Sequence, residues 1–123
     1  MALKKAYRLK KKKEFEEVRE KGRVWHGPKI SLAVLEKDEG GMRVGVVVSK
    51  KVDKRAVERN RLRRLVAEVF RKNWKVWGKQ NRWLVVIVRR NQLNLKEMEE
   101  EIAGLLRPPK AFGVLPSEPD AAQ

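Results

Sequence analysis

An α+β domain, a single sheet with helices packed against it, is predicted by three observations. Residues 30–35 and 42–48 alternate or cluster β-branched residues as strands do, residues 83–88 form a continuous apolar run, and the apolar spacing turns helical over 62–70 and again over 95–106. The order read from these signals alone is α-β-β-α-β-α.

A first helix falls within residues 4–21. Phe15 and Val18, three apart, share a face, Glu14, Glu16 and Glu17 lie towards its middle, and Gly22 suits its end. Gly27-Pro28 is a break, and Trp25 and His26 beside it read as loop residues. Ile30, Leu32 and Val34 then alternate on one face of a strand. Residues 36–41, polar and ending in Gly40-Gly41, have the makeup of a hairpin loop leading into the β-branched strand 42–48. After the basic loop 49–55, Leu62, Leu65, Val66, Val69 and Phe70 recur at i, i+3, i+4, i+7 and i+8, the core-facing stripe of a helix that ends near Gly78. The run 83–88 suits a strand covered on both faces. Asn94, three residues before Glu97, resembles a capping box, and Leu95, Met98, Ile102, Leu105 and Leu106 form a second stripe that Pro108 stops. Residues 1–107 therefore read as one folded domain and 108–123, proline-punctuated and without apolar period, as a flexible C-terminal tail.

The 123 residues include 31 Lys and Arg against 16 Asp and Glu, a formal charge of +15, while a hydrophobic fraction of 41% is enough for one core. There is no cysteine and a single histidine, His26. Disulfides, thiolate zinc sites and cysteine nucleophiles are excluded, and one histidine makes neither a metal cluster nor a Ser-His-Asp relay, so no residue is nominated as catalytic or metal-ligating. The longest aliphatic run, residues 84–88, is far short of the roughly 18 residues a transmembrane helix needs, and the start lacks the apolar stretch of a signal peptide. A soluble cytoplasmic protein is expected, with no membrane or obligate protein partner. So large a surplus of one sign is relieved most simply by a polyanion. The tail does not carry it, since residues 110–123 hold one basic and two acidic side chains.

The surplus is densest in the second helix, with four arginines in residues 59–64. On a wheel centred on Leu62, the other stripe residues fall within about 80°, whereas Asn60, Arg61, Arg63 and Arg64 occupy about 100° to 260°, away from the core. A solvated helix face mixes signs at i,i+4; an arginine comb offers planar forks that match phosphate oxygens. Lys50-Lys51 and Arg89-Arg90, each following a strand, would extend this positive surface. Four tryptophans invite a base-stacking reading, but Trp77 and Trp83 beside apolar stripes are better read as packing, and His26 as a surface residue.

These residues match a family. Arg59-Asn-Arg-Leu-Arg-Arg64 resembles the RNR signature of the protein subunit of bacterial ribonuclease P, residues 44–51 resemble the strand preceding that signature, and 8–15 with Val18 and Gly22 resemble its first helix. Residues 68–71 and 85–90 extend the likeness, which covers about 7–107. The resemblance implies a mixed sheet of about four strands with three helices, in the order α-β-β-β-α-β-α, with one left-handed βαβ crossover, and hence one more strand than the apolar pattern reveals, around Trp25 or within 42–49. It further implies an RNA-binding domain that is the non-catalytic subunit of a ribonucleoprotein endonuclease. The catalytic RNA would hold the active site and most of the Mg²⁺, and the substrate would be precursor tRNA, cleaved to remove its 5′ leader. Arg59, Asn60, Arg61, Arg63 and Arg64 would contact that RNA, and a cleft formed by Phe15, Arg19, Lys50, Lys51, Arg89 and Arg90 would hold the leader. Arg19 and Ala33 stand where the family often has aromatics, which implies more phosphate contact and less stacking. The loop 52–55 is one residue longer than usual and lacks the common glycine, and Ala67 replaces a frequent basic residue.

Two other classes are compatible with the composition. One is a ribosomal or DNA-binding protein that inserts the arginine helix in a groove. The other is a protein-only metal nuclease, for which the carboxylates are poorly placed: Asp38, Asp53 and Asp120 in loops or tail, and Glu97, Glu99, Glu100 and Glu101 crowded on one helix.

Overall fold

The computed structural model describes residues 7–106. Along them run α1 (Lys12–Lys21), β1 (Arg23–His26), β2 (Ile30–Glu36), β3 (Arg43–Val48), α2 (Ala56–Trp77), β4 (Arg82–Val88) and α3 (Leu95–Leu106). The strands form one four-stranded sheet in the order β1-β2-β4-β3. β1 and β2, and β2 and β4, pair antiparallel, whereas β3 and β4 run parallel and are joined through α2 as a βαβ unit. The α+β class and the seven-element order match the expectation, while the tail 108–123 lies outside the described residues.

Period-two alternation sends successive residues to opposite faces, and here both faces are covered. Ile30, Leu32 and Val34, with Leu84, Val86 and Val88, pack against Leu62, Val66, Val69 and Phe70 of α2 and Met98 and Ile102 of α3. On the other side Ala33 and Val85 lie beneath Val18 of α1 and Leu9. Only a strand in the middle of a sheet can bury every second residue twice over. β4 is one of the two inner strands, which is why its sequence is a continuous apolar run. Fully burying a Val or Leu contributes about 1.5–3 kcal/mol, so Leu84, Val85 and Val86, each with no exposure, anchor both layers.

Two expectations are corrected. The missing strand is β1, so Trp25 and His26 sit in a strand and not in a loop. Residues 36–41 do not close a hairpin, because β4 is inserted between β2 and β3. Gly40 and Gly41 do adopt positive φ, 96° and 74°, but the loop they form is tied to the start of β4, with Asn81 Oδ1 accepting from the Gly41 N–H at 2.9 Å. The first helix, expected within residues 4–21, spans Lys12–Lys21. The residues just before it run along the outer edge of β3, where Arg8 bridges Val44 and the Leu9 N–H donates to the Val44 carbonyl at 2.9 Å. Residues 4–6 of the expected helix lie outside those described.

Gly22 does end α1, though not through a left-handed cap, since its φ is −86°. A Cβ there would lie 2.5 Å from both the Val18 and Val34 carbonyl oxygens, so glycine is required by the close approach of helix end to sheet. At the other end, Glu14 Oε1 accepts from the Lys10 and Lys11 N–H groups at 2.9 and 3.0 Å. These backbone bonds, Lys11 first, and the nearby Arg43 hold the Glu14 carboxyl below its ordinary value of 4.5. A carboxyl depressed in the fold stabilises above its unfolded pKa and loses that contribution as pH falls through its folded one. Wild type should therefore exceed Glu14→Gln in stability by a constant margin above about pH 5, shrinking below about pH 4. A margin that does not change across an acid denaturation series would refute this.

Candidate nucleic-acid interface

Because β3 and β4 are parallel and Val48 is in register with Val88, both strands end at the same edge of the sheet. Lys50, Lys51, Arg89 and Arg90 leave the sheet together there, all four exposed, and α2 starts from the same edge. The positive end of the α2 backbone dipole adds to their field.

α1 divides its charges by flank. Glu14 pairs with Arg43 at 3.3 Å and Glu17 with Lys37 at 3.1 Å, both at the opposite end of the sheet, where Lys37 Nζ also lies 4.2 Å from the Trp83 ring centroid. At 100° per residue, Phe15 and Arg19 fall on the other flank and face the basic edge. Phe15 lies so closely on β3 that a Cβ on Gly45 would come within 2.4 Å of its ring. Just beyond α1, the next row across the sheet is His26, Ser31, Ile87 and Val47, in register. His26 and Val47 are exposed, Ile87 is half-buried, and buried Ser31 is hydrogen-bonded through Oγ to His26 Nδ1 at 2.8 Å. Within this row Val47 and Ile87 form an apolar shelf between Phe15 and the four cations. Val47 and Ile87 were not singled out in the sequence, although the signal was there, since they fall out of phase with the Val44, Val86 and Val88 face in their strands.

The residues expected to hold the leader lie along this edge and the α1 flank beside it, and Arg89 is the one already engaged. Arg89 turns its guanidinium onto the Gly27 carbonyl of the β1–β2 turn, and its N–H onto the Lys29 carbonyl at 2.9 Å. Arg90 and Arg19 are exposed and make no side-chain hydrogen bond among the described residues.

The arginine comb is less uniform than the wheel suggests. Arg64 is exposed and makes no side-chain hydrogen bond among the described residues, and Asn60 is exposed and accepts from Arg63 Nη1 at 2.8 Å. Arg59 Nη1 donates to the Asp53 and Lys54 carbonyls at 3.0 and 2.8 Å, closing the entry to α2. Arg61 does not point away from the protein. It donates to Glu58 Oε1 and the Leu93 carbonyl at 3.0 Å and to the Asn91 carbonyl at 2.9 Å. A wheel gives the direction of Cα to Cβ, and Arg61 sits at the flank of the stripe, where a long side chain folds back onto the β4–α3 loop.

Sequence reasoning met Asp53 only as a loop carboxylate poorly placed for metal chemistry. Its side chain is 6% exposed, and it accepts from the Arg55 N–H, Arg55 Nε and Nη2, and Asn91 Nδ2, at 2.9 to 3.0 Å. Arg55 foremost and Asn91 hold its carboxyl far below the usual carboxylate range, so it stays ionised. The tryptophans serve packing. Trp74 stacks on Tyr7 with centroids 4.4 Å apart, Trp77 meets Phe70 edge-on, and Trp25 packs against the larger core.

Comparison with known proteins places this architecture. A family model described as Ribonuclease P matches residues 3–110. The ribonuclease P protein component of Nitrosomonas eutropha is 38% identical over 77 residues, which are 61% of this chain and 64%, less than two thirds, of that relative. That of Clostridium kluyveri is 37% identical over 94 residues, 76% of this chain and 83% of the relative. The RNase P protein of Staphylococcus aureus superposes with a TM-score of 0.72 at 28% identity, covering 83% of this chain and 94% of that one.

Proposed function

The chain belongs to the ribonuclease P protein family, and we propose that it acts as the non-catalytic protein subunit of that ribonucleoprotein, helping an RNA partner remove the 5′ leader of precursor tRNA. The observation that carries the reading is the convergence, at one sheet edge, of Lys50, Lys51, Arg89 and Arg90 with the apolar shelf beside Phe15. A groove with cations along a rim and an apolar floor suits a single strand, whose phosphates and bases have those two needs. Arg63 and Arg64 on the outward side of α2, with Asn60, would meet the structured catalytic RNA. Arg59 and Arg61 serve that surface by fixing it.

In this reading the protein lowers the repulsion between two polyanions and orients the leader, and the RNA does the chemistry with Mg²⁺ that it binds mainly itself. The acids nearest the basic edge support this division: Asp53 and Glu58 are each engaged by an arginine. Among the described residues no helix is long and apolar enough to cross a membrane, in keeping with a place in the cytoplasm beside its RNA.

The test is reconstitution. Adding the protein to a bacterial ribonuclease P RNA and precursor tRNA at low Mg²⁺ should raise cleavage and substrate affinity; no gain in either would sink the proposal. Within the complex, Arg63→Gln and Arg64→Gln together should reduce the slope of log affinity against log salt by about one to two, because each phosphate contact releases roughly one counterion. An unchanged slope would remove both residues from the interface.

A further inference from the structure

We propose that Asp53 is a positioning residue for RNA binding, whose carboxylate clamps the loop bearing Lys50 and Lys51 to the loop bearing Arg89 and Arg90 and so sets the spacing of the two cationic pairs. The inference deepens the functional reading above and rests on it.

Asp53 is the only acid in residues 49–55 and has the wrong sign for an edge that receives phosphate. It is nevertheless the most enclosed charge there, and its oxygens are saturated. Three of the four bonds come from Arg55, two residues away, and would satisfy the carboxylate locally. The fourth does something else: Asn91 Nδ2, at 2.9 Å, comes from 38 residues further on, directly after Arg89-Arg90. The clamp is closed on both sides by α2. Arg59 holds the Asp53 carbonyl at 3.0 Å, and Arg61 holds the Asn91 carbonyl at 2.9 Å. Each loop is thus tied to the helix, and Asp53–Asn91 ties the loops to each other. Loops ordered before the RNA arrives need not be ordered by it, which removes a cost from binding.

The sign of the charge makes the test sharp. If Asp53 acted on RNA only through its charge, neutralising it would tighten binding, since a negative group would leave a phosphate-binding edge. Positioning requires the reverse. Full-length Asp53→Asn, Asn91→Ala and the double variant would be titrated with a bacterial ribonuclease P RNA over a salt series, well below the melting temperature of each. Each single change should weaken binding about tenfold with little change of salt slope, and the double should be no weaker than the weaker single. Asn91→Ala leaves the Asp53–Arg55 pair intact, so it decides the matter even if Asp53→Asn folds poorly. Affinities equal to or tighter than wild type, or losses that add, would overturn the clamp. A wild-type protein that does not bind the RNA would instead refute the functional reading, and the clamp with it.

Discussion

Arg61→Ala is expected to lower the melting temperature by about 10–15 °C, equivalent to about 2–3 kcal/mol in a domain of this size. The guanidinium joins Glu58 on α2 to the Leu93 and Asn91 carbonyls of the β4–α3 loop, so truncation removes three charge-assisted bonds and frees that loop from the helix. Arg61→Lys should recover little, because an ammonium cannot present a planar fork to two carbonyls and a carboxylate at once. Arg64→Gln removes the same formal charge three residues on from an exposed side chain, and should move the melting temperature by no more than about 2 °C while reducing the salt slope of RNA binding. Calorimetry on the two variants separates an arginine that holds the fold from one that does not. Equal melting temperatures would refute the distinction.

Gly45→Val should cost about 3 kcal/mol and loosen α1 from the sheet. The first added carbon would lie 2.4 and 2.6 Å from Phe15 Cε1 and Cζ and 3.2 Å from Leu9 Cβ. Phe15 cannot simply swing aside, since α1 is fixed by Val18 beneath it and by the Glu14 and Glu17 ion pairs along one flank. Relief requires the helix to lift, which would also deform the shelf beside it. Hydrogen exchange at the amides of α1 should accelerate strongly relative to those of β4, and Phe15→Ala in the same chain should restore part of the protection. Unaltered exchange in α1 would show that the ring yields without the helix.

How far such features could be read beforehand depends on whether they are local. The α2 stripe and the Asn94–Glu97 capping box are matters of spacing within one segment, and both are present as expected, with Asn94 and Glu97 exchanging bonds of 2.8 and 3.1 Å. The continuous run of β4 correctly signalled burial on two sides. Pairing is different. Gly40-Gly41 announces a turn but cannot say which strand will lie beside β3, and the insertion of β4 is a pairing between segments about forty residues apart. β1 escaped the apolar pattern, though the resemblance allowed a strand around Trp25, because Arg23-Val-Trp-His26 is short and lies at an edge, where only Trp25 is half-buried and no apolar alternation survives. At the interface, the position of every cationic pair was legible, but the partners of their side chains were not. Arg61 and Asp53 are bound to residues roughly thirty or more positions away, and nothing in their own neighbourhoods distinguishes them from solvated charges.

The place of β4 in the sheet has a consequence for the order in which the molecule is made. A nascent chain that has reached residue 81 contains α1, three strands and α2, yet the strand that joins β2 to β3 and seals both apolar layers has not been synthesised. Until residues 82–88 emerge, β1 and β2 pair only with each other, and the inner edge of β3 is open. The fold therefore closes late, when β4 completes the sheet and α3 after it covers the larger apolar layer, and its two cationic loops reach their mutual distance only then. A fragment that stops short of β4 would carry most of the basic residues with no means of arranging them.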